Sequence, residues 1–166
     1  MEGGKIMADV VFEKSQEVAS IAQRLIGQCH SHLVEANILY LFRKGPWKVK
    51  RSVRLGNANK CTGKEKYLID HDFIIMINWE LWATLNLQQK EALVDHELLH
   101  CCQGEPDENG DPTWYVRDHT FSGFPEEVRR HGLWSTDLML FKKAAEEHKQ
   151  ISIFDKDKPD LKVVTG

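Results

Sequence analysis

The sequence predicts an α+β fold in a single domain, and three observations lead to that prediction. Apolar residues recur with helical spacing near the N-terminus and again in the second half of the chain. Between these stretches lie short apolar runs that end at Gly, Pro or Asn, as strands do. A chain of 166 residues suffices for one well-cored domain and is too short for two of ordinary size. We expect one domain over residues 1–166, with loosely ordered tails at about 1–9 and 152–166, and a three- to four-stranded sheet flanked by helices.

The first half of the chain predicts one helix followed by two strands. The apolar positions from Val18 to Cys29 follow the i, i+3, i+4, i+7 rhythm of an amphipathic helix, and Ser15 is a suitable N-cap. The segment 37–42 is short, apolar and aromatic, which favours a buried strand. The segment 47–55 mostly alternates apolar with polar residues, as a strand with one wet face does, and 56–66 has the composition of a loop.

The middle of the chain predicts a strand and a long helix. Phe73 to Asn78 is apolar enough to lie centrally in a small sheet, and a short helical turn is expected at 79–85. Asn86 is a good N-cap for the next helix, which we predict from Leu87 through Cys102, with Gly104 as its terminator.

The C-terminal part predicts a turn region and two further helices. The stretch GEPDENGDP, residues 104–112, is rich in turn formers. One helix is expected from Phe124 to His131, opened by Pro125 and closed by Gly132, and another from Trp134 to about His148.

Composition excludes several classes of protein. No apolar run approaches the ~20 residues needed to cross a bilayer, and no apolar signal region opens the chain. The four cysteines have no C-x-x-C spacing, so neither a disulfide scaffold nor a thiolate zinc cluster is indicated. We expect a cytoplasmic protein with reduced thiols and no membrane contact; the sequence does not indicate an oligomeric state.

Positive charge is concentrated in residues 43–66. This segment has a net charge of +8, whereas the remainder of the chain has −11. Its basic residues are Arg43, Lys44, Lys48, Lys50, Arg51, Arg54, Lys60, Lys64 and Lys66. The segment is either a solvated hairpin or a surface for an anionic partner such as nucleic acid, which would be held through phosphate contacts.

The motif HELLH lies within the predicted helix 87–102. It places His96 and His100 on successive turns of one face with Glu97 between them, as an H-E-x-x-H zinc site requires. The motif fixes only three positions and also arises by accident on surface helices. The flanking residues are apolar on both sides, however, and burying unpartnered imidazoles and a carboxylate is costly. Metal binding is therefore favoured.

A catalytic zinc site keeps three protein ligands and one open position for water. Glu97 is the candidate general base, and its alternative role is a hydrogen bond within the helix. Asp118 and Asp95 are candidates to fix an imidazole tautomer. Three residues lie in the right region of sequence to stabilise an oxyanion, although each is equally suited to local packing or capping: Tyr115, Arg117 and His131.

Four segments resemble the phage metallopeptidase family, small zincin-like proteins related in general plan to the Spartan/SprT-like proteases. They are ILYLFRKG (38–45), DFIIMINWELW (72–82), QQKEALVDHELLHC (88–101) and RDHTFSGFPEEVRRHGLW (117–134), in the order of the family. The resemblance implies a zincin-like domain of the minimal gluzincin/SprT-like kind, with the H-E-x-x-H motif on its active-site helix.

The resemblance also implies that His119 is the third metal ligand. This chain departs from the family pattern immediately afterwards, because the family has acidic residues where this sequence has Thr120, Ser122 and Gly123. Competing candidates remain: Glu126, Glu127 and His131. The acidic pair has an alternative role at a helix N-terminus, and the histidine has one at a helix C-terminus.

These observations predict a phage-encoded zinc-dependent metallopeptidase that cleaves a protein or peptide substrate in the host bacterial cytoplasm, with Zn²⁺ as cofactor. Two alternatives belong to other classes. One is a nucleic-acid-associated SprT-like protease, or a DNA-binding protein, that uses the basic segment 43–66. The other is a catalytically silent interaction domain stabilised by zinc.

Overall fold

The computed structural model describes residues 9–119 and 124–147, and these residues adopt an α+β fold. The helices in this part of the chain are α1 (Gln16–Cys29), α2 (Lys64–Ile69), α3 (Trp79–Trp82), α4 (Leu87–His100), α5 (Pro125–His131) and α6 (Thr136–Glu147). The strands are β1 (Val11–Lys14), β2 (Ile38–Lys44), β3 (Lys48–Val49), β4 (Ser52–Val53), β5 (Gly56–Lys60), β6 (Phe73–Asn78), β7 (Cys101–Gln103) and β8 (Trp114–Val116). A 3₁₀ turn at Ser31–Leu33 follows α1.

The main sheet has four strands in the order β1-β2-β6-β5. Strand β2 pairs parallel with β6, and the two outer strands run antiparallel to their neighbours. Strand β6 is internal, as its apolar sequence predicts, and Phe73, Ile75 and Ile77 on one of its faces are fully buried. These side chains share one core with α1 and α4, so the sheet supports the helix that carries the HELLH motif.

The two best-defined helix starts follow the capping rules. The hydroxyl of Ser15 accepts a hydrogen bond from the amide of Val18 at 3.1 Å, which confirms the predicted cap of α1. The Asn86 side chain accepts from the amide of Gln89 at 2.8 Å, and the Gln89 side chain accepts from the Asn86 amide at 3.0 Å. This reciprocal pair fixes the first turn of α4.

The end of α4 differs from the prediction. The helix stops at His100, and Cys101–Gln103 forms strand β7, which pairs antiparallel with β8. The predicted extension to Cys102 is therefore wrong. Cys101 adopts an extended conformation because its strand pairs with β8, which lies farther along the chain. The helical periodicity of the sequence gives no sign of a pairing with distant residues.

Two predictions between residues 47 and 66 are also wrong. The expected single strand 47–55 is a short hairpin made of β3 and β4, because the chain reverses at Lys50 and Arg51. The expected loop 56–66 contains the edge strand β5 and the start of α2. The sequence GNANK of β5 lacks the apolar alternation typical of strands, because the strand lies at a sheet edge beside a cleft. Strands β1 and β8 were not predicted.

No helix within residues 9–119 and 124–147 is long and apolar enough to cross a membrane. The predicted tails, apart from Asp9, lie outside the described residues, as do Thr120, Ser122, Gly123 and the expected end of the last helix at His148.

Candidate metal centre

The structure brings His96, His100 and His119 together. His96 and His100 lie one turn apart on α4, and His119 follows β8. The Nε2 atoms of His96 and His119 are 2.8 Å apart, and one nitrogen from each of the three rings lies within 4.8 Å of the others. Three imidazoles from two distant segments thus converge on one point.

The β7–β8 pair carries the chain back to α4. Just beyond β8, the amide of Arg117 donates to the carbonyl of His100 at 2.9 Å, and its Nε donates to the carbonyl of Leu99 at 2.6 Å. These bonds satisfy two of the carbonyls that a helix C-terminus leaves free. Because Arg117 is held at the end of α4, His119 lies beside the two helical histidines.

Hydrogen bonds at Nδ1 set the tautomers of the two helical histidines. The Nδ1 atom of His100 lies 2.6 Å from the carbonyl oxygen of Arg117, and a carbonyl only accepts, so Nδ1 is the protonated nitrogen. The Nδ1 atom of His96 lies 2.8 Å from Oε2 of Glu127 and donates to it in the same way. In the neutral form of each ring the lone pair is therefore on Nε2, which in His96 is the atom that lies 2.8 Å from Nε2 of His119.

Glu127 is a fully buried carboxylate at the start of α5. Its second oxygen, Oε1, accepts a hydrogen bond from the amide of Phe124 at 2.8 Å. Both oxygens are thus engaged, one by the helix start and one by His96. Glu127 orients a candidate ligand and does not face the cluster as a ligand itself.

The ring of His119 is enclosed by aromatic groups even though the residue is exposed overall. Its centroid is 4.4 Å from that of His100, 4.8 Å from that of His96 and 5.4 Å from that of Phe124. Burial and the neighbouring charges of His96 and His100 lower the pKa of His119 to about 4. The ring is neutral at neutral pH, which is the form that binds metals.

This donor set fits a divalent metal ion. Imidazole nitrogens are common ligands of zinc and of other first-row transition metals, and three of them leave a coordination position open. Among the described residues, these histidines are the group of His, Cys, Asp or Glu side chains that could hold such an ion.

Glu97 is buried beside the cluster and makes no side-chain hydrogen bond among the described residues. Burial raises its pKa to about 7, against the opposing charges of His96 and Arg54. Its carboxylate lies against Gly56 of β5, where a Cβ atom would come within 2.6 Å of Oε1. The glycine therefore provides the space that the carboxylate occupies.

A cleft of about 590 Å³ opens over these groups. It is lined by residues 52–59, by the face of α4 that carries His96 and His100, by Val116, Asp118 and His119, and by Trp134, Ser135 and Asp137. Strand β5 runs along it as the free edge of the main sheet. Among the described residues, the base candidate and the three histidines all face the same cleft.

The competing third-ligand candidates have other partners. Glu126 lies 3.7 Å from Arg117, and Nε2 of His131 lies 2.9 Å from Oδ2 of Asp95. The predicted role of Asp95 in fixing a ligand tautomer is wrong, because its carboxylate makes no hydrogen bond to any of the three histidines within the described residues. It is fully buried and contacts a separate set of side chains: His30, Arg130 and His131.

The oxyanion candidates are not assembled at the cleft. Arg117 donates to the Leu99 carbonyl and lies over the Phe124 ring, and His131 is bound to Asp95. Tyr115 is half exposed and does not line the cleft. Asp118 does line it and makes no side-chain hydrogen bond to an imidazole within the described part of the chain.

Sequence reasoning missed two residues of this site. The sequence offers Glu127 as a ligand or as an acidic residue of a helix N-terminus, but not as the partner of His96; a Glu at the third position of a helix is a known capping signal that places its carboxylate at the helix start. Gly56 carried no signal, because its importance depends on contact with a side chain 41 positions away.

A family model described as "Putative phage metallopeptidase" matches residues 10–149. No curated protein and no solved structure matches the chain. The matched range includes the three histidines and Glu97.

Proposed function

We propose that this chain, which belongs to the phage metallopeptidase family, is a zinc-dependent peptidase that hydrolyses a protein or peptide substrate with Glu97 as general base. The observation that carries the proposal is the convergence of His96, His100 and His119 beside a buried glutamate in an open cleft. We accordingly propose that the α+β fold is of the zincin-like type.

In this proposal His96, His100 and His119 would hold the metal ion through one ring nitrogen each. Zinc supplies Lewis acidity, which makes water more acidic and polarises a peptide carbonyl. Glu127 and the Arg117 carbonyl keep the rings of His96 and His100 oriented by accepting their Nδ1 protons. Both rings then present an unprotonated nitrogen without rearrangement.

Glu97 removes a proton from the attacking water and delivers it to the amine that leaves. Burial raises the pKa of Glu97 to about 7 in the metal-free protein, and a bound cation would lower that pKa, so that the carboxylate is ionised and able to accept a proton at neutral pH. The carboxylate has no competing side-chain partner among the described residues. It is therefore free to accept and return the proton.

Strand β5 is the proposed docking edge for an extended substrate. The residues that flank it, Leu55 and Cys61, both hydrogen-bond toward β6. Because backbone groups alternate along an antiparallel strand, those of Gly56 and Ala58 point to the free edge. A peptide added there would form backbone hydrogen bonds independent of its sequence and would pass directly over Glu97.

The test uses purified protein with casein or a fluorogenic peptide library. We expect cleavage that a chelator abolishes and that zinc restores. Glu97→Gln should retain about one zinc per chain and lose hydrolysis by a factor of about 10³ or more, because the base acts on water and does not hold the metal. Loss of zinc in Glu97→Gln would show that the role of Glu97 is different. If the zinc-loaded wild-type protein cleaves no substrate, the remaining interpretation is a catalytically silent domain stabilised by zinc.

A further inference from the structure

The basic segment 43–66 does not form one continuous charged surface. Lys44 pairs with Glu13 at 2.6 Å, and Lys66 pairs with Asp72 at 3.0 Å. Arg43 donates to backbone carbonyls and lies over a tryptophan ring. Local partners therefore engage these three of the nine cations. For the others, what matters is where each side chain lies relative to the cleft.

The hairpin β3–β4 carries three of the remaining cations. Lys48, Lys50 and Arg51 are exposed and make no ion pair with any described residue. Lys50 has a φ of 58°, a left-handed conformation that favours Gly or Asn and costs a lysine of order 1 kcal/mol.

Arg54 joins this hairpin to the cleft. Its amide donates to the Trp47 carbonyl at 3.0 Å, and its carbonyl accepts from Asn78 Nδ2 at 2.9 Å, so its backbone is fixed. Its Nε donates to the Gly56 carbonyl at 3.2 Å, and its two terminal nitrogens make no hydrogen bond to any residue that the structure describes. Among the described residues that line the cleft, Arg54 is the one Lys or Arg.

We infer that Arg54 and the hairpin cations Lys48, Lys50 and Arg51 form a subsite for substrate carboxylates, so that the enzyme prefers acidic polypeptides. The inference rests on the proposed peptidase function, because the subsite adjoins the edge strand β5 along which the substrate would lie. The terminal nitrogens of Arg54 bind a carboxylate next to the scissile bond, and the hairpin binds carboxylates farther out.

The cleft favours carboxylate side chains over a phosphate backbone. Asp118, Asp137 and Glu97 also line the cleft, and a nucleic acid strand following the cleft would bring its continuous charge against them. A polypeptide places its acidic side chains locally and presents neutral groups elsewhere. One cation in the cleft, with three more on the hairpin that precedes it in the chain, matches this second pattern.

The experiment measures cleavage of fluorogenic peptides that differ only in carrying Glu, Gln or Lys at one position, scanned across the cleaved bond. Wild type should prefer Glu at one or more positions on one side of that bond. Arg54→Gln should lower kcat/KM for the best Glu peptide about tenfold, mostly by raising KM. The same substitution should change kcat/KM for the matching Gln peptide less than about twofold. Arg54→Glu should reverse the preference toward Lys.

The outer subsite is tested with Lys48→Gln, Lys50→Asn and Arg51→Gln combined. Asn tolerates the left-handed conformation of Lys50, so this variant should fold at least as stably as wild type and still lose preference for distant Glu residues. The matched control is Lys14→Gln with Lys64→Gln, which removes two exposed cations that lie outside β5 and do not line the cleft, and it should leave the preference unchanged.

A second measurement does not require turnover. Fluorescence anisotropy follows ligand binding to the Glu97→Gln protein at two salt concentrations. The fluorescein-labelled ligands are a Glu-rich peptide, a Gln-rich peptide and duplex DNA. Preferential binding of the Glu-rich peptide that is lost with Arg54→Gln supports the subsite, even if wild type cleaves nothing and the peptidase proposal fails. Equal loss of kcat for Glu and Gln peptides would assign Arg54 to the reacting atoms and overturn the inference. Hairpin-dependent binding of DNA in preference to peptide would overturn it in favour of nucleic acid.

Discussion

Oε2 of Glu127 lies 2.8 Å from Nδ1 of His96, although the two residues are 31 positions apart and lie on different helices. The same carboxylate caps the start of α5 through the Phe124 amide. One buried side chain thus couples the position of α5 to the orientation of a candidate metal ligand.

Glu127→Gln is expected to weaken zinc binding about 10- to 100-fold. Both oxygens of the carboxylate accept hydrogen bonds, so an amide would place an NH₂ group against one of two donors. Affinity is measured by competition with a chromogenic chelator. Glu126→Gln, which changes the neighbouring carboxylate, is the control and should retain wild-type affinity; equal affinities of all three proteins would remove Glu127 from the site.

His119→Ala is expected to purify metal-poor and less stable, because two remaining imidazoles hold zinc weakly. Glu126→Ala and His131→Ala should keep about one zinc per chain. Metal content is measured by inductively coupled plasma mass spectrometry, and thermal unfolding is recorded with and without zinc. A full equivalent of tightly bound zinc in His119→Ala, together with loss of zinc in either of the other variants, would contradict the assignment of the third ligand.

Gly56→Ala is expected to reduce kcat about 100-fold while zinc content stays at wild-type level. The added Cβ would come within 2.6 Å of Glu97 Oε1, and displacing a catalytic group by about 1 Å costs a factor of that order. Gly27→Ala is the matched control, because a Cβ there meets nothing within 4 Å and a helical alanine is favoured over glycine. A fully active Gly56→Ala would show that Glu97 tolerates a different position.

Asp95→Asn is expected to destabilise the metal-free protein by about 2 kcal/mol at about pH 7, because it removes the negative charge of a buried carboxylate that accepts hydrogen bonds from the partly exposed Arg130. Burial alone would raise the pKa of Asp95, but hydrogen bonds from His131, His30 and Arg130 outweigh it and hold the pKa far below its usual value of 3.8. Because the folded-state pKa is depressed, the stabilisation is present above pH 3.8 and lost as the pH falls below it.

The free energy of unfolding from denaturant titrations at several pH values checks this prediction. The difference between wild type and Asp95→Asn should narrow below about pH 4. Asp70→Asn is the control, because Asp70 is exposed and its left-handed conformation suits Asn, so the change should stay within about 0.5 kcal/mol. A pH-independent difference would mean that shape, and not charge, determines the effect.

The sequence by itself determined the elements whose pattern is local. The helical rhythm after Ser15, the apolar run of β6 and the cap at Asn86 each predict structure from neighbouring residues, and the structure contains all three. The spacing of His96 and His100 belongs to the same class, because four positions on a helix are one turn. Such features are visible in sequence because the atoms concerned are close along the chain.

Only the tertiary structure decided the features that depend on distant contacts. The polar segment GNANK becomes a strand because it pairs with β6, and α4 ends early because Cys101 pairs with β8. The partner of the His96 ring is Glu127, and the space for Glu97 is made by Gly56. None of these pairs has a characteristic spacing in sequence, because hydrogen bonding and steric fit act between atoms that only the folded chain brings together.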